Sequence, residues 1–139
     1  VILLDTNVIS AFMRPAPDPA VVSWLDTQPL ESLWTTSVTV YEIRFGLEIL
    51  PRGRRRQEME EAFVKSLEED FGGRVISFDE SAAQAAGRLA AGRRLLGRTI
   101  EIRDAQIAGI AAAHKASIAT RNIRHFEDLG LELINPWSP

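Results

Sequence analysis

Short apolar runs and amphipathic stretches alternate along this chain. Val1-Ile2-Leu3-Leu4 is an uninterrupted apolar run that stops at Asp5, the pattern of a strand buried on both faces, as in a parallel sheet. A helix is predicted from Asn7 to about Met13, ended by Arg14-Pro15-Ala16-Pro17, because proline confines its own and the preceding residue to extended or turn backbone. Asp18 is placed to cap a second helix to about Gln28, with Val21, Val22, Trp24 and Leu25 on its apolar face and Pro29 as its stop. Leu33 to Ser37 reads as a strand, and Val38 to Leu50 returns to helical period with Tyr41, Phe45 and Ile49 four apart.

The basic turn Pro51 to Arg56 leads into a helix whose stripe is Met59, Phe63, Leu67 and Phe71, stopped by Gly72-Gly73. The short link between these two helices predicts a protruding helical hairpin. Arg74 to Phe78 is a third strand, Asp79 caps an alanine-rich helix from Glu80 to about Leu96, and a further helix runs from Ile102 to His114. Ser117 to Thr120 and Leu131 to Ile134 are predicted strands around a brief helix from Asn122 to Leu129. Strands alternating with helices predict an α/β fold with a mainly parallel central sheet flanked by helices. With 139 residues, one domain over 1–139 is expected.

Composition narrows the chemistry. The absence of cysteine removes disulfides, zinc-thiolate sites and thiol nucleophiles. No apolar run approaches the roughly 20 residues of a membrane span, no stretch reads as a secretory signal, and a cytoplasmic location is expected. A formal net charge of −3 argues against a protein that coats nucleic acid, but not against one that cuts it.

In a parallel sheet, ligands bind beyond the carboxyl ends of the strands. Asp5 ends the first predicted strand, Glu42 sits early in the helix after the second, and Thr120 and Asn122 follow the fourth. Asp104, in the first turn of its helix, shares a face with Ile107, Ala108 and Ala111 and so points toward the body of the domain. Each residue alone has a capping explanation: Thr6 or Asn7 ahead of Asp5 for the first helix, Thr39 with Glu42 as a capping box, Asp104 with its helix dipole, Asn122 as an N-cap. If the sheet is parallel, together they can converge on one crevice. Two carboxylates about 4 Å apart repel by about 4 kcal/mol at an effective dielectric of about 20, so three together must take up protons or a cation. Oxygen ligands favour Mg²⁺ or Mn²⁺, which can activate water and polarise a phosphoryl oxygen.

Asp5-Thr6-Asn7-Val8-Ile9-Ser10, Glu42 with Gly46, Arg103-Asp104-Ala105-Gln106-Ile107-Ala108, Ala119-Thr120-Arg121-Asn122 and Asn135-Pro136-Trp137 together resemble the PIN-domain family, in particular VapC-type toxins of the FitB-like branch. The resemblance implies a PIN-domain fold and a Mg²⁺- or Mn²⁺-dependent endoribonuclease. It makes Asp5, Glu42 and Asp104 the metal-binding acids and puts the Thr120 hydroxyl near the metal or its water. Asn122 stands where many members carry aspartate. An asparagine carbonyl can orient water but cannot serve as a carboxylate base, which favours one tightly held ion over two. The resemblance also implies a cognate antitoxin, a homodimer or larger toxin–antitoxin assembly, and DNA contact only through the antitoxin.

Arg54, Arg55, Arg56 and Arg121 are candidate RNA contacts. Arg88, Arg93, Arg94 and Arg98 form a second basic group, but 14 of the 16 basic residues are arginine, which weakens any inference from clustering. His114 reads as a helix-dipole partner and His125 as a surface residue. Trp24, Trp34 and Trp137 read as core or interface. Two competing functions remain: a weakly or non-catalytic partner of a DNA-binding antitoxin, and a phosphotransfer protein using Asp5. The second is disfavoured by Asn7, where a haloacid-dehalogenase-like enzyme needs aspartate.

Overall fold

The computed structural model describes residues 1–139. Its element order is β1 (Ile2–Leu4), α1 (Thr6–Met13), α2 (Pro19–Asp26), β2 (Leu33–Thr36), α3 (Ser37–Glu48), α4 (Arg54–Lys65), β3 (Val75–Ile76), α5 (Glu80–Leu95), α6 (Ile102–His114), β4 (Ser117–Ala119), α7 (Ile123–Phe126) and β5 (Leu133–Ile134). All strand pairs are parallel, and the sheet order is β3-β2-β1-β4-β5. The chain therefore builds outward from β1 on one side, then crosses back to lay β4 on the other. The carboxyl ends of β1 and β4 flank that reversal, where such sheets open a ligand crevice.

Successive strand side chains point to opposite faces, and the core divides accordingly. Leu4 and Ala119 join Val8, Ile9, Val21, Trp24, Ile43, Leu47, Phe63 and Phe71 on one face. Leu3 and Ile118 join Val38, Ile107, Ala108, Ile110, Ala111 and Phe126 on the other. Gly109 lets α6 lie against α5: a Cβ there would stand 2.4 Å from the Ala82 carbonyl oxygen and 2.6 Å from Ala86 Cβ.

Local chemistry accounts for the departures from the sequence pattern. On α3 the buried residues are Val38, Thr39, Ile43 and Leu47, while Tyr41, Phe45 and Ile49 are exposed. The helix is apolar on two faces, and the expected stripe is the outer one. β3 is shorter than predicted because the Phe78 N–H leaves the sheet to donate to Ser37 Oγ. α7 ends at Phe126 because buried Arg93 takes the carbonyls of His125 and Glu127, acceptors a longer helix needs, and Asp128 turns to φ 62°. The first helix is capped by Asp5 itself, which accepts from the Thr6 N–H, rather than by Thr6 or Asn7. α3 is capped by Thr36, so Thr39 and Glu42 do not form a capping box. Asn122 makes no side-chain cap to α7. The hairpin of α3 and α4 is clasped by Arg56, which pairs with Glu48 at 2.7 Å and Glu60 at 3.1 Å.

Candidate active site

Asp5 is 6% exposed at the tip of β1. Its backbone N–H is tied to the Ala119 carbonyl, and its carboxylate is held by three donors. Oδ1 accepts from the Thr6 N–H at 2.8 Å, and Oδ2 accepts from Thr120 Oγ1 at 2.8 Å and Asn7 Nδ2 at 3.3 Å. Burial still holds this carboxyl above its ordinary value, against the pull of those donors. A buried carboxylate costs free energy unless neutralised, so Asp5 is a preformed site for positive charge.

Glu42 on α3 is partly buried. Burial, then the negative field of Asp5, raises its carboxyl, with Arg103 opposing; Arg103 Nη1 stands 3.8 Å away. Asp104, in the first turn of α6, is pushed up to about 6, chiefly by burial, with His125 opposing and Asp5 adding to the rise. The field of Asp5 thus reaches both Glu42 and Asp104, and that of Asp104 reaches Glu42.

Thr120, fully buried after β4, donates to Asp5 and accepts from the Asn122 N–H at 3.0 Å. It is a bracket between the two central strands. Asn122 meets this bracket through its backbone, while the residue itself is exposed. Two residues were missed in the sequence. Asn7 binds Asp5 through Nδ2 and accepts from the Arg121 N–H through Oδ1 at 2.9 Å; its position two residues beyond Asp5 was the available signal. His125 is exposed, as expected, but its Nδ1 also lies 3.1 Å from Asp104 Oδ2, a contact that was not. No spacing rule could find it, because buried Arg93 on α5 fixes the backbone that carries it.

The donor set suits a hard divalent cation: carboxylates, a buried hydroxyl and no sulfur. Thr6 Oγ1 is buried with no partner in good hydrogen-bond geometry, beside Glu42. As the side chains stand, no three acid or imidazole groups form a closed ligand set; Glu42 faces Arg103 and Asp104 faces His125. Arg103 thus offsets part of the charge that a metal would neutralise more fully. Of the basic candidates, Arg54 pairs with Glu58 at 2.9 Å and Arg56 clasps the hairpin. Arg55 and Arg121 line a cleft beside the acids. In the second basic group, Arg93 is structural, and Arg98 pairs with Asp128.

Comparison with known proteins agrees with this geometry. The chain is 43% identical over 136 residues to the plasmid stability protein StbB of Pseudomonas syringae pv. tomato, covering 98% of each chain. It is 41% identical over 138 residues to the VapC ribonuclease Y4jK of Sinorhizobium fredii, covering 99% of each, and 36% identical over 136 residues to the toxin FitB of Neisseria gonorrhoeae, covering 98% of each. The solved structure of FitAB bound to the IR36 DNA fragment superposes with a TM-score of 0.91 at 35% identity, covering 100% of this chain and 97% of that one. The PIN domain model matches residues 2–131, and the chain belongs to the PIN-domain family.

Proposed function

We propose that this chain is a Mg²⁺- or Mn²⁺-dependent endoribonuclease, the toxin of a type II toxin–antitoxin pair, with Asp5, Glu42 and Asp104 as metal ligands. The observation that carries the proposal is Asp5: a buried carboxylate at the sheet's reversal point, fixed by three donors and facing two further acids whose protons it holds on more tightly. When bound among these acids, the divalent ion would lower the pKa of a water and polarise a phosphoryl oxygen. The chain's own part is preorganisation. Thr6, Asn7 and Thr120 fix both Asp5 oxygens, so the charge that receives the ion needs no reorganisation. His125 and Arg103 hold Asp104 and Glu42 at the rim. The Asn122 amide, exposed at the head of α7, is available to orient water or substrate through its carbonyl.

The partners follow from the relatives: a cognate antitoxin, and DNA reached through it, as FitAB is bound to DNA. A homodimer is supported by the apolar residues left exposed on α3 and near the α5–α6 turn, among them Tyr41, Phe45, Leu95 and Ile102. No helix is long and apolar enough to cross a membrane, in keeping with action on cytoplasmic RNA. The DNA-bound relative also favours a second reading, in which the acid crevice mainly grips a cation of the partner. Incubating the purified chain with transfer RNA and single-stranded RNA, with Mn²⁺ or EDTA and beside Asp5→Asn, separates the two. Cutting that requires both metal and Asp5 supports the nuclease. Intact RNA in every lane, from folded protein that binds Mn²⁺, supports the second reading.

A further inference from the structure

A cleft of about 490 Å³ opens beside the acids, lined by Asn7, Ser10, Arg14, Arg55, Arg121 and Trp137 among others. That volume lies within the roughly 300–1,000 Å³ of small-ligand sites. Its charge is positive on balance. Arg55 and Arg121 have no carboxylate partner, Arg14 has only Asp18 at 3.7 Å, and the one acid in the lining, Glu58, is taken by Arg54. Its floor is flat and braced. The Arg121 guanidinium lies 4.8 Å over the Trp137 ring, and Trp137 is pinned by its Nε1 donating to Asp18 Oδ2 at 2.9 Å. Asn7 joins this floor to the catalytic acid, accepting from the Arg121 N–H and donating to Asp5.

We infer that this cleft seats a nucleotide of single-stranded RNA next to the bond being cut, with its base on the Arg121–Trp137 stack and its backbone phosphates on Arg14 and Arg55. The inference rests on the ribonuclease reading above. An unstacked base offers a face that a guanidinium plane can cover, whereas in a duplex that face is stacked on its neighbours. Phosphates supply the charge that unpaired arginines lack. Asn7 lines the cleft and bonds both to Asp5 and to the Arg121 backbone, so the cleft begins one side chain away from Asp5.

The test is fluorescence anisotropy of a labelled single-stranded RNA oligonucleotide with the full chain in EDTA, over a range of salt concentrations, beside a duplex of the same sequence. Arg14→Gln and Arg55→Gln are each expected to weaken binding about 10-fold and to flatten the salt slope by about 0.7 per lost phosphate contact, and Arg121→Gln to weaken it about 10-fold through the lost base stack. Arg121→Lys keeps the charge but not the plane, so it should retain the slope and still lose affinity. Single-stranded RNA should quench tryptophan emission in wild type but not in Trp137→Phe, and should bind more tightly than the duplex. If the wild type binds and cuts RNA while the arginine variants match it in affinity and slope, this inference fails and the ribonuclease reading stands. If the wild type neither binds nor cuts RNA, both fall. If the variants lose affinity for the antitoxin while RNA binding is untouched, the cleft belongs to the protein partner and the inference is overturned.

Discussion

Replacing Asp104 by asparagine should stabilise the metal-free protein at neutral pH, although it removes a site residue. The Asp104 carboxyl is pushed from 3.8 up to about 6, mainly by burial and further by Asp5. A group whose folded pKa lies above its unfolded value holds its proton more tightly in the folded state. Its ionisation therefore costs stability. The cost is absent below about pH 3.8, grows as pH rises toward 6, and is complete above that. At about 1.4 kcal/mol per pH unit, the displacement sets a ceiling of about 3 kcal/mol, and screening by solvent around a partly exposed group reduces this to about 1–2 kcal/mol. Urea unfolding of wild type and Asp104→Asn in EDTA, at steps from pH 4 to pH 8, measures it. The variant should gain about 1–2 kcal/mol on the wild type across that window, and saturating Mn²⁺ should reverse the order. A difference between the two proteins that stays constant with pH, or a wild type that gains on the variant as pH rises, would refute the reasoning.

Three further outcomes are expected. Millimolar Mn²⁺ should raise the melting temperature of wild type by mass action, about 2.7 kcal/mol at one hundred times Kd, and calorimetry should show little gain for Asp5→Asn. Gly109→Val should destabilise urea unfolding by about 2–3 kcal/mol, since its Cβ would stand 2.4 Å from the Ala82 carbonyl oxygen and force α5 away from α6. Arg93→Met should cost about 2–3 kcal/mol by leaving the His125 and Glu127 carbonyls without their charged donor, and proteolysis should then cut first in the segment after α7.

The parallel sheet was legible because its strands are short, doubly buried runs such as Ile2-Leu3-Leu4 and Ser117-Ile118-Ala119, and the connecting helices carry clear stops. Once the sheet is parallel, Asp5 and Thr120 must lie at its carboxyl edge, so those site positions came with the fold. Periodicity alone misread α3, where apolar residues occupy two faces and Val38, Ile43 and Leu47, not Tyr41 and Phe45, meet the core. It also overran β3 and α7, whose ends are set by side chains distant in sequence, Ser37 and Arg93. His125 was invisible for the same reason: what brings it to Asp104 is a guanidinium from another helix. Asp5 was the less favoured of three candidates to cap the first helix and Thr36 was not considered for α3, because several adjacent polar side chains compete for one N-cap.

The central claim, that Asp5, Glu42 and Asp104 together form the metal site of a nuclease, is tested most directly by locating the ion. Crystals of the chain grown with Mn²⁺, measured where manganese scatters anomalously, should show a peak among these three carboxylates that disappears in Asp5→Asn. An ordered manganese elsewhere on the protein with none in this crevice, while RNA cleavage still depends on Mn²⁺, would contradict the account.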